Sequence, residues 1–320
     1  AQREAIAALA RDGHEVAIAG SGGIRKYGSG VLSLSGSSAN TFSGETTLLD
    51  GKIAIGKSDG ITAIPADLTI APSSGWAPGA PTGVDLNGNE QIADGAVIHF
   101  TGTDYSGFRP RGFTETVAGL DSPSGKGVIE NYGWNQTGPA NDGTLAVNTP
   151  GGTEYSFNGY IRDYDGGGTV SKVNFTKSGG GMQSLIGVNI VYTGDTIVNA
   201  GVLRLQTTTA FNSAIALNGI LVCDNAGGSV NLPKVVSGSG MVIVTNAANW
   251  TYMTADNTYG GGTYVANPGS LLLGNNTAAG SVVGVITNNG TLGIYRNDAY
   301  TFSNNVAGAG SVNLYEPGGN

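Results

Sequence analysis

Residues 28–55 read GSGVLSLSGSSANTFSGETTLLDGKIAI, and residues 178–206 read SGGGMQSLIGVNIVYTGDTIVNAGVLRLQ. Both stretches open with Gly-x-Gly, alternate apolar and polar residues, pass through a polar turn with one aromatic residue, and close on glycine and an apolar pair. Such alternation, bounded by Gly and Asn, predicts short strands with one buried face. Because the unit recurs, a solenoid is favoured over a sandwich or a barrel: each unit buries its apolar face by stacking on its neighbours.

More divergent copies of the same unit follow later in the chain. One runs from residue 237 to residue 274, and its closing pattern recurs alone in Asn289-Gly290-Thr291-Leu292. Asn and Gly both tolerate the left-handed backbone conformation that sharp corners between short strands require. The repeats therefore predict an all-β chain in which short strands alternate with tight corners.

Composition supports this fold class and excludes several functions. The 320 residues include 55 Gly and only 12% charged residues, a balance that disfavours long helices. The formal net charge of −8 predicts no nucleic-acid partner, since phosphate binding needs clustered Lys and Arg. No run approaches the roughly 18 apolar residues of a membrane-spanning helix, so the sequence predicts no membrane span.

The two clearest copies resemble the autotransporter-associated β-strand repeat, whose usual form is Gly-x-Gly-x-Leu-x-Leu-x-Gly, then Asn-Thr-Tyr-x-Gly-x-Thr, then Gly-x-Leu. The matching segments are Gly28 to Gly36, Asn40 to Thr46 and Gly51 to Ile53, and again Gly179 to Gly187, Asn189 to Thr196 and Gly201 to Leu203. The resemblance implies a right-handed parallel β-helix exposed at a bacterial cell surface, in an adhesin, a passenger or a stalk. It also implies that the repeat itself carries no catalytic activity.

Candidate catalytic and metal-binding side chains are few. Asp163 and Asp165 would point the same way in an extended segment, as paired carboxylates or calcium ligands do, but no further acidic residue accompanies them. His14 and His99 are the two histidines, and neither has a partner at a catalytic spacing. We therefore predict a protein without catalytic residues, cofactor or metal, and keep a carbohydrate-active β-helix enzyme as the second alternative.

Aromatic residues indicate a different kind of partner. Trp76, Trp134 and Trp250 have ring faces on which sugars could stack, and Trp134 is the prime candidate for an exposed ring. Surface glycans are therefore a predicted partner, with cross-strand packing as the alternative role of these rings. Cys223 follows three apolar residues and is expected to be a small buried residue of a strand.

The two ends of the chain read as complementary pieces of one repeat. Residues 306–314, VAGAGSVNL, form an opening that the residues from Tyr27 onward continue. If the last coil of one molecule stacks on the first coil of the next, the non-closing contact makes a filament. The predicted assembly interface comprises Ile6, Leu9, Val16, Ile18, Tyr27, Val31, Leu32, Leu34, Val306, Val312, Leu314 and Tyr315.

The first residues differ in pattern from the rest. Residues 3–9 read as a short helix and residues 15–20 as a strand. Residues 1–23 are predicted to be either a cap over the first coil or an arm that adds a strand to a neighbouring molecule. Residues 24–320 are predicted to form a single β-helix domain.

These features together predict the structural subunit of an extracellular bacterial filament, whose partner is a second copy of itself. The alternative is a fragment of a cell-surface adhesin or autotransporter passenger, in which case the matching ends reflect where the repeat array was cut. A chain that begins Ala-Gln is what cleavage of an export signal would leave. We accordingly expect a secreted, extracellular or cell-surface protein.

Overall fold

The structure is a computed structural model that describes residues 17–73, 82–132, 141–163, 171–246 and 249–317. Within these ranges every regular element is a β-strand. The helix predicted over residues 3–9 lies outside them. The chain divides into two compact units, residues 1–148 with 163–173 and residues 149–162 with 174–320. The predicted bounds of an N-terminal segment, 1–23, and a β-helix domain, 24–320, stay predictions.

The described residues of the first unit form thirteen strands, most of them three to six residues long. They are β1 (Ala19–Gly20), β2 (Ile24–Lys26), β3 (Val31–Gly36), β4 (Thr41–Phe42), β5 (Thr46–Leu48), β6 (Lys52–Lys57), β7 (Leu68–Ile70), β8 (Gly83–Leu86), β9 (Val97–Phe100), β10 (Ser106–Arg109), β11 (Thr114–Val117), β12 (Gly119–Glu130) and β13 (Gly143–Asn148).

The second unit contains the remaining strands, apart from the first residue of β15. They are β14 (Glu154–Arg162), β15 (Val173–Ser178), β16 (Met182–Ile186), β17 (Thr196–Val198), β18 (Val202–Gln206), β19 (Ile215–Leu217), β20 (Ile220–Asp224), β21 (Val230–Leu232), β22 (Val236–Ser237), β23 (Met241–Thr245), β24 (Thr251–Met253), β25 (Thr263–Val265), β26 (Ser270–Thr277), β27 (Ile286–Asn288), β28 (Thr291–Arg296), β29 (Val306–Ala307) and β30 (Ser311–Tyr315).

In each unit, a strand pairs in parallel with the equivalent strand of the next turn of the chain. In the first unit β3, β6, β8, β10 and β12 pair in this order. In the second unit β16, β18, β20, β23 and β25 do so on one face, and β21, β24, β26, β28 and β30 on another. Parallel pairing of successive turns is the topology of a β-helix, so the predicted fold class is confirmed.

The core consists of apolar side chains stacked turn upon turn. Leu205, Cys223 and Val244 occupy equivalent positions on β18, β20 and β23, and all three are fully buried. Burial also raises the pKa of the Cys223 thiol to about 12, which keeps it in its unreactive protonated form. The expectation that Cys223 is a small buried residue of a strand is confirmed.

The glycines of the repeat have a geometric cause. Gly51 and Gly201 each follow a strand-to-strand corner with positive φ, +71° and +65°. A Cβ on Gly51 would lie 2.4 Å from the carbonyl oxygen of Gly28, and one on Gly201 would lie 2.3 Å from that of Gly179. The closing glycine of each copy therefore stacks against the opening Gly-x-Gly, where no side chain fits.

A lysine closes the same corner in both copies. Lys26 and Lys177 are equivalent, and each Nζ donates hydrogen bonds to the carbonyl oxygens of the next two residues and of the residue before the closing glycine. Burial lowers the pKa of the Lys177 ammonium to about 8. These bonds satisfy carbonyls that the corner leaves outside the strand ladder.

Buried side-chain hydrogen bonds hold the aromatic turn. The hydroxyl groups of Tyr192 and Thr196 lie 2.6 Å apart, and those of Tyr259 and Thr263 are separated by the same distance. All four residues are buried. The tyrosine and the threonine of the Tyr-x-Gly-x-Thr pattern thus satisfy one another's polar atoms in the core.

Asparagines connect three consecutive turns at this corner. The Oδ1 of Asn257 accepts a hydrogen bond from the backbone N–H of Val236, and its Nδ2 donates to the carbonyl oxygen of Ser281. Asn40 does the same between Ile18 and Ala63. In the second copy Ile190, two residues before Tyr192, stands in the place of Asn40, so the turn begins there and not at Asn189 as the motif suggested.

Candidate functional site

The predicted assembly residues of the first rungs differ in exposure. Tyr27 and Val31 are 57% and 59% exposed, so they present apolar surface to solvent. Leu32 and Ile18 are half-buried, and Leu34 is buried. Ile6, Leu9 and Val16 lie outside the described residues. Whether these residues form an interface stays a prediction.

The predicted residues of the last rung are all exposed. Leu314 is 74% exposed, although it pairs in register with buried Ile294 of β28. Val312 pairs with buried Leu292 in the same way, and Val306 and Tyr315 are also exposed. The apolar stacks of the core therefore continue into β30 and end there as open surface among the described residues.

An open groove of about 600 Å³ crosses several turns of the second unit. Residues from four successive turns line it, because β21 pairs with β24 and β24 with β26. The lining residues are Thr209, Ala210, Phe211, Asn212, Ser229, Asn231, Leu232, Pro233, Tyr252, Thr254 and Asn275. Seven of them carry a hydroxyl or an amide group, and none carries a charge at neutral pH.

Hydrogen bonds fix one wall of this groove. The backbone N–H of Asn231 donates to the carbonyl oxygen of Thr208, and the Nδ2 of Asn231 donates to that of Thr209. The Oδ1 of Asn231 has no hydrogen-bond partner in the described part of the chain. The corner at residues 209–212 is thereby tied to the strand that forms the groove floor.

Trp250 belongs to an aromatic cluster near the groove. Its ring meets that of Tyr315 edge to face at 6.4 Å, and the rings of Tyr315 and Tyr295 are 6.0 Å apart. A Cβ on Gly293 would lie 3.0 Å from Tyr315 and 3.2 Å from Trp250, so the glycine provides the space over which these rings pack. Trp250 is half-buried in cross-strand packing, the alternative given for the tryptophans. Trp76 and Trp134 lie outside the described residues.

Two of the residues considered for catalysis, Asp163 and His99, lie in the described part of the chain. The Oδ1 of Asp163 accepts a hydrogen bond from the backbone N–H of Val173, whereas Asp165 and His14 lie outside the described residues. His99 places its Nδ1 3.3 Å from a carboxylate oxygen of Asp121. No group of three or more potential metal ligands occurs in the ranges that the structure describes.

The ionic cluster of the first unit is buried. Arg109 lies 3.2 Å from a carboxylate oxygen of Asp85 and 3.2 Å from one of Glu130, and Lys52 reaches Asp85 at 2.6 Å. A Cβ on Gly107 would lie 2.9 Å from the Arg109 guanidinium, which therefore lies flat on the strand backbone. Each buried charge lies beside an opposite one, which offsets part of the cost of its desolvation, so removal of one partner would leave an uncompensated charge in the core.

The groove was missed in the sequence because its lining residues are far apart along the chain. Thr209 and Asn275 are separated by three turns, and only the stacking of those turns unites them. One signal was present: Asn231 and Tyr252 occupy the central, outward positions of three-residue strands whose neighbours are buried. No sequence rule gives the register that places them side by side.

In the described ranges no helix has the length and apolar character to cross a membrane.

No solved structure matches the chain. An adhesin autotransporter, BmaC of Brucella suis biovar 1 (strain 1330), is 28% identical over 278 residues, which cover 78% of this chain and 8% of that protein. The chain thus spans less than a tenth of the length of this relative. The passenger-associated-transport-repeat model matches residues 24–55 and 175–205, so the two copies with equivalent glycine corners are both recognised as this repeat.

Proposed function

We propose that the chain is a segment of the exported passenger of a bacterial surface adhesin. The alignment with an adhesin autotransporter over most of the chain carries this proposal. Parallel stacking supplies a physical reason for such a role, because each turn adds a continuous row of backbone hydrogen bonds and a layer of core. The segment would hold adhesive surfaces away from the cell without catalysing a reaction.

Cell-surface location is tested with antibodies against the folded chain. We expect them to label intact, unpermeabilised cells of the organism that encodes it, and brief protease treatment of those cells to remove the label. An antibody against a cytoplasmic protein is the control and should label only permeabilised cells. Labelling that appears only after permeabilisation would contradict the proposal.

Adhesion is tested with beads that carry the purified chain. Beads coated with native chain should attach to epithelial cell layers more than beads coated with heat-denatured chain at equal surface density. Attachment that is equal for the two coatings would show that the folded surface contributes nothing, and would refute an adhesive role for this segment.

A second candidate is head-to-tail assembly of copies of this chain into a filament. The exposed Tyr27 and Val31 of the first rungs and the exposed Val312 and Leu314 of β30 support it, since stacking would bury this apolar surface and pair strand edges. The relationship to an adhesin favours the passenger segment over the filament subunit.

Sedimentation velocity over a concentration series tests assembly. If copies stack, the weight-average sedimentation coefficient should rise with concentration, and Leu314→Lys should abolish the rise. Val283→Lys is the matched control, because Val283 is exposed but is not among the residues of the predicted assembly interface. A coefficient independent of concentration would refute assembly under those conditions.

A further inference from the structure

We propose that the groove of the second unit binds a short neutral oligosaccharide. The inference deepens the proposed adhesive role by naming a ligand class, and it rests on that role for its biological meaning. Its physical basis is separate, because it depends only on the shape and chemistry of the eleven residues that line the groove.

The lining chemistry suits a neutral ligand rich in hydroxyl groups, such as a sugar. Hydroxyl groups of Thr209, Ser229 and Thr254 and amide groups of Asn212 and Asn275 can each donate and accept hydrogen bonds. Without Lys or Arg among the lining residues the groove has no countercharge for an anion, and without Asp or Glu it has none for a metal ion or an amine. A sugar matches it, because each sugar hydroxyl is also both donor and acceptor.

One aromatic ring and a few apolar groups complete the site. The half-buried Tyr252, the buried Leu232 and the exposed Pro233 all line the groove. The apolar C–H face of a pyranose ring can stack on such a ring while its hydroxyls reach the polar walls. Tyr252 is the lining residue with an accessible aromatic face, since Phe211 is buried in the core.

The length of the groove indicates an oligosaccharide and not a single sugar. It extends from the corner at residues 209–212 across the turns of β21 and β24 to Asn275 of β26. Three spacings between turns amount to roughly 14 Å. Its volume of about 600 Å³ lies within the range of about 300–1,000 Å³ that is usual for small-molecule sites.

The groove is also stiff before a ligand arrives. Its floor belongs to paired strands, and the side chain of Asn231 ties the corner at residues 209–212 to that floor. A preformed groove loses little conformational entropy when it binds a ligand. Exposed hydroxyl and amide groups held in fixed positions favour recognition of a defined pattern of sugar hydroxyls.

The test begins with the purified full chain on an array of neutral di-, tri- and tetrasaccharides of glucose, galactose, mannose and N-acetylglucosamine, with sialylated and sulfated glycans on the same array. We expect binding to a subset of the neutral glycans, unchanged in 0.5 M NaCl because no ionic contact contributes. Binding confined to the charged glycans, or to no glycan at all, would overturn the proposal.

Variants then locate the site by isothermal titration calorimetry with the strongest neutral glycan of the array. Tyr252→Ala and Asn275→Ala should each weaken binding about 10-fold or more, as loss of one stacking or hydrogen-bonding contact does. Tyr264→Ala, which removes an exposed tyrosine of β25 outside the groove, is the matched control and should bind as wild type. Circular dichroism should show that all three variants remain folded.

Wild-type affinity in both groove variants would overturn the proposal, and Asn275→Ala keeps it testable even if Tyr252→Ala fails to fold. The result is separable from that for the adhesive role. Beads of the wild-type chain that attach to cells although the chain binds no glycan of the array would refute the sugar site and leave the adhesin proposal intact. Glycan binding by a chain whose beads do not attach to cells would refute the adhesin proposal and leave the sugar site intact.

Discussion

The first repeat copy, residues 24–55, and the second, residues 175–205, share their glycine corners, but the aromatic residue of the turn carries a hydroxyl group only in the second. In the second copy the hydroxyl of Tyr192 lies 2.6 Å from that of Thr196. The first copy has Phe42 at the equivalent position, and the buried Oγ1 of Thr46 has no hydrogen-bond partner among the described residues. The comparison teaches that the repeat tolerates loss of a buried hydrogen bond while the shape of its core is kept.

A rung outside the two copies contains a buried carboxyl group, that of Glu115, and the pH dependence that this group causes is the largest expected effect. Both carboxylate oxygens of Glu115 accept hydrogen bonds, from the backbone N–H groups of Gln91 and Ile92. Desolvation by burial nevertheless raises the pKa of Glu115 to about 8. The folded state therefore holds a proton there that the unfolded state has lost.

Because the folded pKa lies above the unfolded value, this contribution to stability is complete below about pH 4.5 and is lost as pH rises to about 8. The free energy of unfolding should fall by roughly 4 kcal/mol across this interval. Urea titrations at half-unit steps of pH measure it, and Glu115→Gln should flatten the decline. An unchanged slope in Glu115→Gln would show that other groups cause the pH dependence.

Removal of the asparagine that links three turns should have the next largest effect. Asn257→Ala leaves the buried backbone N–H of Val236 without its acceptor and removes one of the two hydrogen bonds that the carbonyl oxygen of Ser281 accepts from residue 257, which should cost about 2–3 kcal/mol. Chemical denaturation measures the change. Asn199→Ala is the matched control, because the exposed Asn199 makes one hydrogen bond of 3.3 Å, and it should change stability far less. Equal effects of the two variants would contradict the role given to Asn257.

Replacing a turn tyrosine of the second unit by phenylalanine should recreate the unpaired threonine hydroxyl of the first copy. Tyr259→Phe removes the hydroxyl that pairs with Thr263, as in the case of Thr46. It should lower the free energy of unfolding by about 1–2 kcal/mol. Tyr192→Phe should cost less, because the Oγ1 of Thr196 also lies 2.7 Å from the Oγ of Ser213. Differential scanning calorimetry ranks the two variants, and the reverse order would show that the second partner of Thr196 does not compensate.

Adding the hydroxyl to the first copy is the smallest predicted effect and the sharpest test. Phe42→Tyr should supply the missing partner of Thr46 and raise the free energy of unfolding by about 1 kcal/mol. In a Thr46→Val background the same change should give no gain, and a double-mutant cycle measures the difference. An equal gain in both backgrounds would mean that the added hydroxyl acts elsewhere.

The corners and the core could be predicted from the sequence because their causes are local or repeated. The alternation around Leu203 and Leu205 gave their burial, and the glycine pattern gave the corners at Gly51 and Gly201. The start of the turn in the second copy was placed at Asn189, one residue too early, because the motif begins with asparagine and Ile190 does not match it. The charged cluster around Arg109 and the groove around Tyr252 could not be predicted, since both depend on which residues meet when turns separated in sequence stack.

The stacked glycines also imply that, in evolution, a chain of this kind gains or loses length by whole turns. Gly219, Gly240 and Gly261 succeed one another about every twenty residues, and a Cβ on each would collide with the glycine one turn before. A duplicated or deleted full turn preserves this succession, whereas an insertion of a few residues into a strand shifts every later glycine out of place. Recombination between copies therefore lengthens or shortens such a chain without disturbing the stacking of its turns. The number of turns can then differ among descendants while the structure of each turn is kept.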